Sequence, residues 1–282
     1  MKLYSIETGY FKLDGGAMFG VVPKSIWQRT NPADENNMCD WAMRSLLLED
    51  GNRLMLFDCG IGDKQSEKFF SYYFLYGDET LDSSLAKLGF SRKDITDVFL
   101  SHLHFDHCGG AIKREGDLLK PSFPNAHFWS NKEHWQAATE PNAREKASFL
   151  RENILPIEES GQLKLINRKD DFTENALENI DVLFADGHTE SQMIAHINYK
   201  GKTIVYVADL LPSVGHIPLP YVMGYDTRPL ITLSEKRRFL EKAAREKYIL
   251  FLEHDPIHEC CTVKMTEKGV RLDETFKLEE II

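Results

Sequence analysis

The sequence predicts a single domain of mixed α+β class, in which β-sheets are covered by helices and the chain is internally pseudo-duplicated. Three observations carry this. Two blocks of the chain repeat the order strand–strand–helix–strand, and each block ends a strand on a group of polar residues. No Pro/Gly/Ser-rich linker separates the blocks, so they are expected to share one domain spanning 1–282. Polar clusters at strand ends are where layered α/β folds place ligand sites.

In the first block "RSLLLED" and "RLMLFDCG" flank Asp50-Gly51-Asn52, a turn signal between two β-like runs. "SSLAKLGF" has helical spacing and stops at Gly89, and "DITDVFLSH" is an apolar run that enters a histidine cluster. In the second block "IDVLFADGHT" precedes "QMIAHINYKGKTIVYVADLLP", two runs joined around Lys200-Gly201. "TLSEKRRFLEKAAREKY" is the clearest helix: Thr232 and Glu235 match a capping box, and Phe239, Leu240, Ala243 and Ala244 form an apolar stripe. It feeds the strand "YILFLEHDP". Two further segments are expected: an N-terminal loop at about 14–40 and an irregular, helix-leaning insertion at about 111–180.

Composition narrows the function. The chain is 42% hydrophobic and 28% charged, as in ordinary globular proteins. A net charge of −10 disfavours attraction to nucleic acid or anionic membrane. No apolar run approaches the ~18–20 residues that span a bilayer, and "MKLYSIETGYFKLDGG" lacks the apolar core of a secretory signal. Five cysteines, odd in number and without CxxC spacing, do not form a disulfide framework. A cytoplasmic, reduced protein is expected.

The chemistry concentrates in "FLSHLHFDHCGG", residues 99–110. His102 and His104, two apart on an extended strand end, point to the same side and can grip one ion. Asp106 and His107 follow at once, where a turn could aim them at a second ion, and Gly109-Gly110 permit a tight backbone there. Neutral imidazoles with a carboxylate suit a borderline divalent ion such as zinc. Cys108, inside the motif, is expected to be a small buried thiol.

"SHLHFDHCGG" resembles the HxHxDH signature of the metallo-β-lactamase superfamily, and the likeness continues through "LMLFDCGIG", "FADGHT", "VYVADLLP" and "LFLEHDP" in order. The resemblance implies a four-layer αββα sandwich of two similar halves. It also implies two divalent ions per chain, zinc first, with manganese, iron or cobalt as alternatives. His102, His104 and His188 would hold one ion and Asp106, His107 and His254 the other, with Asp209 bridging and Asp58 orienting a ligand histidine. Two such ions about 3.5–4 Å apart can share a water and hold it as hydroxide near neutral pH. Asp106 and Asp209 would then be the catalytic carboxylates, with Asp106 shuttling a proton to the leaving group.

Within the superfamily, His104 stands where the flavodiiron branch places glutamate, which disfavours di-iron redox chemistry. Asp209 is absent from the secreted β-lactamases, and acidic balance disfavours the RNA-processing nucleases. Small-molecule hydrolases remain: lactonases, with an N-acyl-homoserine-lactone-like substrate first, then organophosphate hydrolases and thioester hydrolases of glyoxalase II type. A ligand-binding or sensor protein that keeps the fold without turnover is the alternative of another class. "DGGAMFGVVPKSIWQRTNPADENN" is similar to the long N-terminal loop of quorum-quenching lactonases and methyl-parathion-hydrolase-like enzymes, which walls the pocket or joins the subunits of a homodimer. Met18, Phe19 and Trp27 would offer apolar surface there, with His216, Tyr221, Met223 and Tyr225 on a second wall. Pro212 departs from the tyrosine that some N-acyl-homoserine lactonases carry three residues after the bridging aspartate; Tyr221 or Tyr225 would have to supply a replacement phenol.

Overall fold

Two sequence turn signals become two-residue hairpins in the computed structural model, which describes residues 1–281. The chain opens with β1 (Lys2–Asp14), the short helices α1 (Gly15–Phe19) and α2 (Lys24–Trp27), β2 (Met38–Asp50) and β3 (Arg53–Phe57). Asp50 pairs with Arg53 across Gly51-Asn52, with Gly51 at φ +61. Then come α3 (Glu67–Phe70), α4 (Leu81–Lys87), β4 (Asp97–Phe99) and α5 (Phe105–Cys108). Helix α4 starts on a capping box between Thr80 and Ser83. It ends in a Schellman turn: Gly89 at φ +82 lets Phe90 N–H reach Leu85 O at 3.0 Å.

The stretch 111–180 is richer in strand than its sequence pattern. It contains the hairpin β5 (Ile112–Glu115) and β6 (Leu118–Pro121), β7 (His127–Asn131), α6 (Lys132–Thr139), α7 (Arg151–Glu159), β8 (Leu163–Ile166) and β9 (Phe172–Leu177). These strands are four to six residues long, too short for a period of two to stand out. The chain continues through β10 (Ile180–Ala185), β11 (Gln192–Tyr199), β12 (Lys202–Tyr206), α8 (Pro229–Glu246), β13 (Ile249–Phe251), β14 (Cys260–Thr266) and β15 (Gly269–Phe276). Lys200 and Gly201, at φ +49 and +78, close the β11–β12 hairpin as a type I′ turn, whose twist matches its strands.

Six strands form one sheet in the order β1-β2-β3-β4-β7-β8, and seven form another in the order β15-β14-β13-β12-β11-β10-β9. The chain divides into two compact units, Met1–Gly9 with Met43–Lys169, and Tyr10–Ala42 with Asp170–Ile281. The pseudo-repeat is visible in the pairing. In one unit β2–β3 is antiparallel and β3–β4 parallel; in the other β11–β12 is antiparallel and β12–β13 parallel. A parallel neighbour needs a crossover, which the segments bearing α4 and α8 provide. The first unit buries Leu47, Leu56, Val98, Phe128 and Ile154 in one apolar cluster, and the second buries Ile197, Ile204, Phe239 and Phe251. Of the N-terminal stretch 14–40, α1 and α2 are helical, and Asp14 caps α1 by accepting from Ala17 N–H.

Helix α8 departs from its expected start. It begins one turn before Thr232, at Pro229, whose fixed φ suits the first helical position. Thr232 is buried within the helix, and Glu235 does not close a capping box. Its carboxylate instead accepts from Asp186 N–H at 2.8 Å and Gly187 N–H at 3.1 Å. The next residue, Lys236, is 1% exposed, and its ammonium donates to the carbonyls of His216 (2.8 Å), Pro218 (3.2 Å) and Tyr221 (2.7 Å). A lysine is buried only when its donors are matched, so this side chain pins loop 216–221 to α8. Replacing it leaves carbonyls without their donor. Lys236→Met is expected to lower unfolding free energy by about 3 kcal/mol; a urea midpoint equal to that of the parent chain would contradict this role.

Candidate metal centre

In the first unit, β3 and β4 run parallel and both deliver polar residues at their carboxyl ends. Asp58 follows β3 directly, fully buried and at φ +53, a conformation that costs a non-glycine residue and needs support from its surroundings. The support comes from the segment after β4. Asp58 Oδ1 accepts from Ser101 N–H at 2.8 Å, Oδ2 accepts from Ser101 Oγ at 2.5 Å, and Oδ2 also lies 3.1 Å from His107 Nδ1. The carboxylate thus ties down the loop and sets the His107 ring through Nδ1, leaving Nε2 on the side of Asp106.

The same loop brings His102 and His104 together. His102 Nδ1 sits 3.0 Å from Ser101 Oγ, and His102 Nε2 is 3.0 Å from His104 Nδ1. His104 Nε2 lies 3.7 Å from Glu145 Oε1, and Asp106 Oδ2 lies 3.8 Å from His107 Nε2. His134, given no functional role by its sequence context, braces the motif: its Nε2 accepts from Leu103 N–H at 2.8 Å. Gly109 and Gly110 serve close approach rather than unusual dihedrals. A Cβ at Gly109 would lie 2.0 Å from Ile61 O, and one at Gly110 would lie 2.1 Å from Cys59 O. Lys64 completes the junction by donating to Gly109 O at 2.5 Å. Burial pushes the Cys108 thiol up to about 12, and it donates to Leu103 O, as suits a structural thiol.

The second unit holds His188, Asp209 and His254. His188 lies three residues past β10, Asp209 three past β12 and His254 three past β13. One carboxylate serves both rings: Asp209 Oδ2 is 3.1 Å from His188 Nε2, and Oδ1 is 3.0 Å from His254 Nε2. The other nitrogen of each ring is anchored. His188 Nδ1 is 2.9 Å from Asp226 Oδ1, and His254 Nδ1 is 2.8 Å from Ala42 O. Such anchoring fixes the tautomer so that Nε2 carries the lone pair, as metal-bound imidazoles require. Asp226 and Glu235, which holds the Asp186-Gly187 turn, have no motif of their own in the sequence.

These donor sets fit divalent metal. His107, His188 and His254 each pair one nitrogen with an acceptor while the other faces a carboxylate oxygen within 4 Å. Imidazole and carboxylate together suit zinc and its neighbours.

The residues expected to form apolar walls pack as follows. Met18, Phe19, Trp27 and His216 are each at most 2% exposed. Phe19 stacks between Trp27, at 5.2 Å, and the His216 ring, at 4.4 Å. His216 Nε2 lies 2.9 Å from Met18 O, and burial lowers the pKa of this ring to about 3, so it is neutral and donates that bond. The four residues pack on one another as core. Met223 is buried, Tyr221 stands edge-on to Phe19 and Tyr225 is 41% exposed. A different aromatic group stands beside the histidine motif. Phe105, within it, packs on Phe69 at 5.3 Å and on Tyr73 at 4.7 Å, next to the exposed Tyr72, Phe74 and Leu75. Burial and the charge of Asp106 push the Tyr73 phenol up to about 12. In sequence, "FFSYYFLY" carried this signal as an apolar run outside any strand.

Comparison with known proteins agrees with this architecture. The metallo-beta-lactamase superfamily matches residues 44–254. An N-acyl homoserine lactonase of Bacillus cereus is 24% identical over 267 residues, covering 90% of this chain and 93% of the relative. A probable metal-dependent hydrolase from Staphylococcus aureus superposes with a TM-score of 0.87 at 27% identity, covering 100% of this chain and 98% of the other. AidC, a dizinc quorum-quenching lactonase, superposes with a TM-score of 0.76 at 26% identity over 98% of this chain and 95% of its own. The mixed α/β architecture is that of the metallo-β-lactamase fold, and the chain belongs to the metallo-β-lactamase superfamily of metal-dependent hydrolases.

Proposed function

We propose that this hydrolase opens lactones bearing an apolar acyl group, with two divalent ions, zinc first, as cofactors. His102, His104 and His188 would hold one ion, Asp106, His107 and His254 the other, and Asp209 would bridge them. The observation that carries the two-ion reading is Asp209, whose oxygens face the Nε2 atoms of two different histidines at 3.1 and 3.0 Å. When bound, the ions supply Lewis acidity and activate water near neutral pH.

The remaining work falls to side chains. Asp58 and Asp226 orient His107 and His188 through Nδ1. Asp106, almost buried, would take the proton from the attacking water and return it at Oδ2 to the departing alkoxide. Phe69, Tyr73 and Phe105 form an apolar wall beside Asp106 that suits an acyl chain and keeps water from it. The lactone reading draws on the N-acyl homoserine lactonase of Bacillus cereus and on AidC. An organophosphate or thioester substrate is the second reading, favoured by Pro212, which stands in place of the tyrosine found in some lactonases. The five buried free cysteines support a reducing, cytoplasmic location. Val21 and Ile26, exposed in the N-terminal segment, offer the apolar surface on which a second copy would seat as a homodimer.

Purified protein is expected to contain about two equivalents of zinc, manganese, iron or cobalt per chain. Asp209→Ala should lose metal and at least about a thousandfold in kcat/KM together. Elemental analysis finding one equivalent or none in the parent, or full activity in the variant, would remove the bridged pair. Asp226→Asn keeps the shape at His188 but removes the carboxylate charge that faces Nδ1. Its metal affinity should fall by about 10–100-fold, measured by chelator competition; unchanged affinity would make Asp226 a packing residue only. The substrate class is tested by rates measured side by side on a γ-lactone, a phosphotriester and a glutathione thioester. The lactone should be fastest, and a faster phosphotriester or thioester would replace the reading.

A further inference from the structure

A second cavity lies within the second unit, between one face of α8 and strands β9, β10 and β11. Its volume is about 140 Å³, close to the ~150 Å³ of a cavity known to take one benzene ring. Phe172, Leu183, Phe184 and Phe239 supply apolar lining, and His196 stands edge-on to Phe172 at 5.3 Å and to Phe239 at 6.0 Å. Rings set edge-to-face around a space of this size favour another ring within it.

Charge makes the cavity selective. Arg238 and Lys242, one turn apart on α8, line it and form no ion pair with a carboxylate among the described residues. Lys242 Nζ sits 4.8 Å over the Phe172 ring, held at the apolar lining by a cation–π contact. The one acid in the lining, Glu235, has its oxygens engaged by the N–H groups of Asp186 and Gly187. His196 is buried, with its Nδ1 facing Ile194 O. Arg238 acts electrostatically on Glu235, so the lining sets two cations against one carboxylate and its net charge is cationic.

We propose that this cavity is a second binding site, for a small aromatic monocarboxylate of benzoate size. The ring would lie among Phe172, Phe184 and Phe239, and the carboxylate between Arg238 and Lys242. Two cations within reach of one carboxylate give charge-assisted hydrogen bonds that a neutral isostere cannot replace. The inference is independent of the substrate hydrolysed at the metals.

The test uses the metal-loaded full chain and benzoate, with benzamide as the neutral isostere of the same shape. Calorimetric titration should show one benzoate per chain, bound at least about tenfold more tightly than benzamide. Arg238→Ala with Lys242→Ala should weaken benzoate at least about tenfold and leave benzamide unchanged, while hydrolytic activity stays at the parent level. Leu183→Trp, which fills the cavity, should weaken both ligands. Benzoate is itself a metal ligand, so inhibition is followed in parallel. Competitive inhibition whose constant equals the titrated one, with both unmoved by these substitutions, would assign binding to the metals and overturn the proposal. Equal affinity for benzoate and benzamide would overturn it as well.

Discussion

A carboxylate held between two imidazoles is the constraint around which the second unit is organised. Asp209 is nearly buried, and an ionised carboxylate withdrawn from water is costly unless a cation faces it; with lone pairs on the Nε2 atoms beside it, the proposed ions would be that cation. Its partners must therefore arrive with fixed orientation. His188 is held by Asp226 on its far nitrogen, and His254 by the carbonyl of Ala42. The turn before His188 is fastened in turn by Glu235 on α8. The longest helix of the chain thus does more than cover a sheet. Through Glu235 it positions a ligand loop, and through Lys236 it fastens the segment that follows Asp209.

The first unit solves the same problem with closer backbone contacts. Asp58 gathers Ser101 and His107 around itself, and the loop it anchors is pressed against residues 59–62 so tightly that Gly109 and Gly110 have no room for a Cβ. Local rigidity of this kind is what a metal centre needs, because ligand atoms must converge before an ion is present to draw them in. The strain at Asp58 is offset by three contacts from the segment it positions.

Much of this was legible in the sequence. The paired turn signals and helix stops are local chemistry, so Asp50-Gly51-Asn52, Lys200-Gly201 and Gly89 could be read directly. The HxHxDH cluster was legible as a run of ligand-type residues; the strand end expected for it is not there, since β4 stops at Phe99 and a loop brings His102 and His104 together. The failures share a cause. Glu235 matched a capping box, but its carboxylate is taken by a turn 48 and 49 residues away, a partner no local pattern announces. Met18, Phe19, Trp27 and His216 are apolar or aromatic as a pocket wall requires, and in the structure they also pack on one another as a buried stack. Composition identifies an apolar surface but not what covers it. The strands within 111–180 were missed because four to six residues leave little period to detect.

The register of the pseudo-repeat sets the histidines and the acids of the two units apart. Phe57 pairs with Phe99 in one unit, as Tyr206 pairs with Phe251 in the other. Counting three residues onward from Phe99 and Phe251 reaches His102 and His254, so these two histidines occupy equivalent places in the two halves. The acids do not. Asp58 N–H reaches Phe99 O, and the corresponding N–H that reaches Phe251 O belongs to Val207, two residues before Asp209. Displacement along the chain by two residues separates a carboxylate that aims an imidazole from one set between two imidazoles.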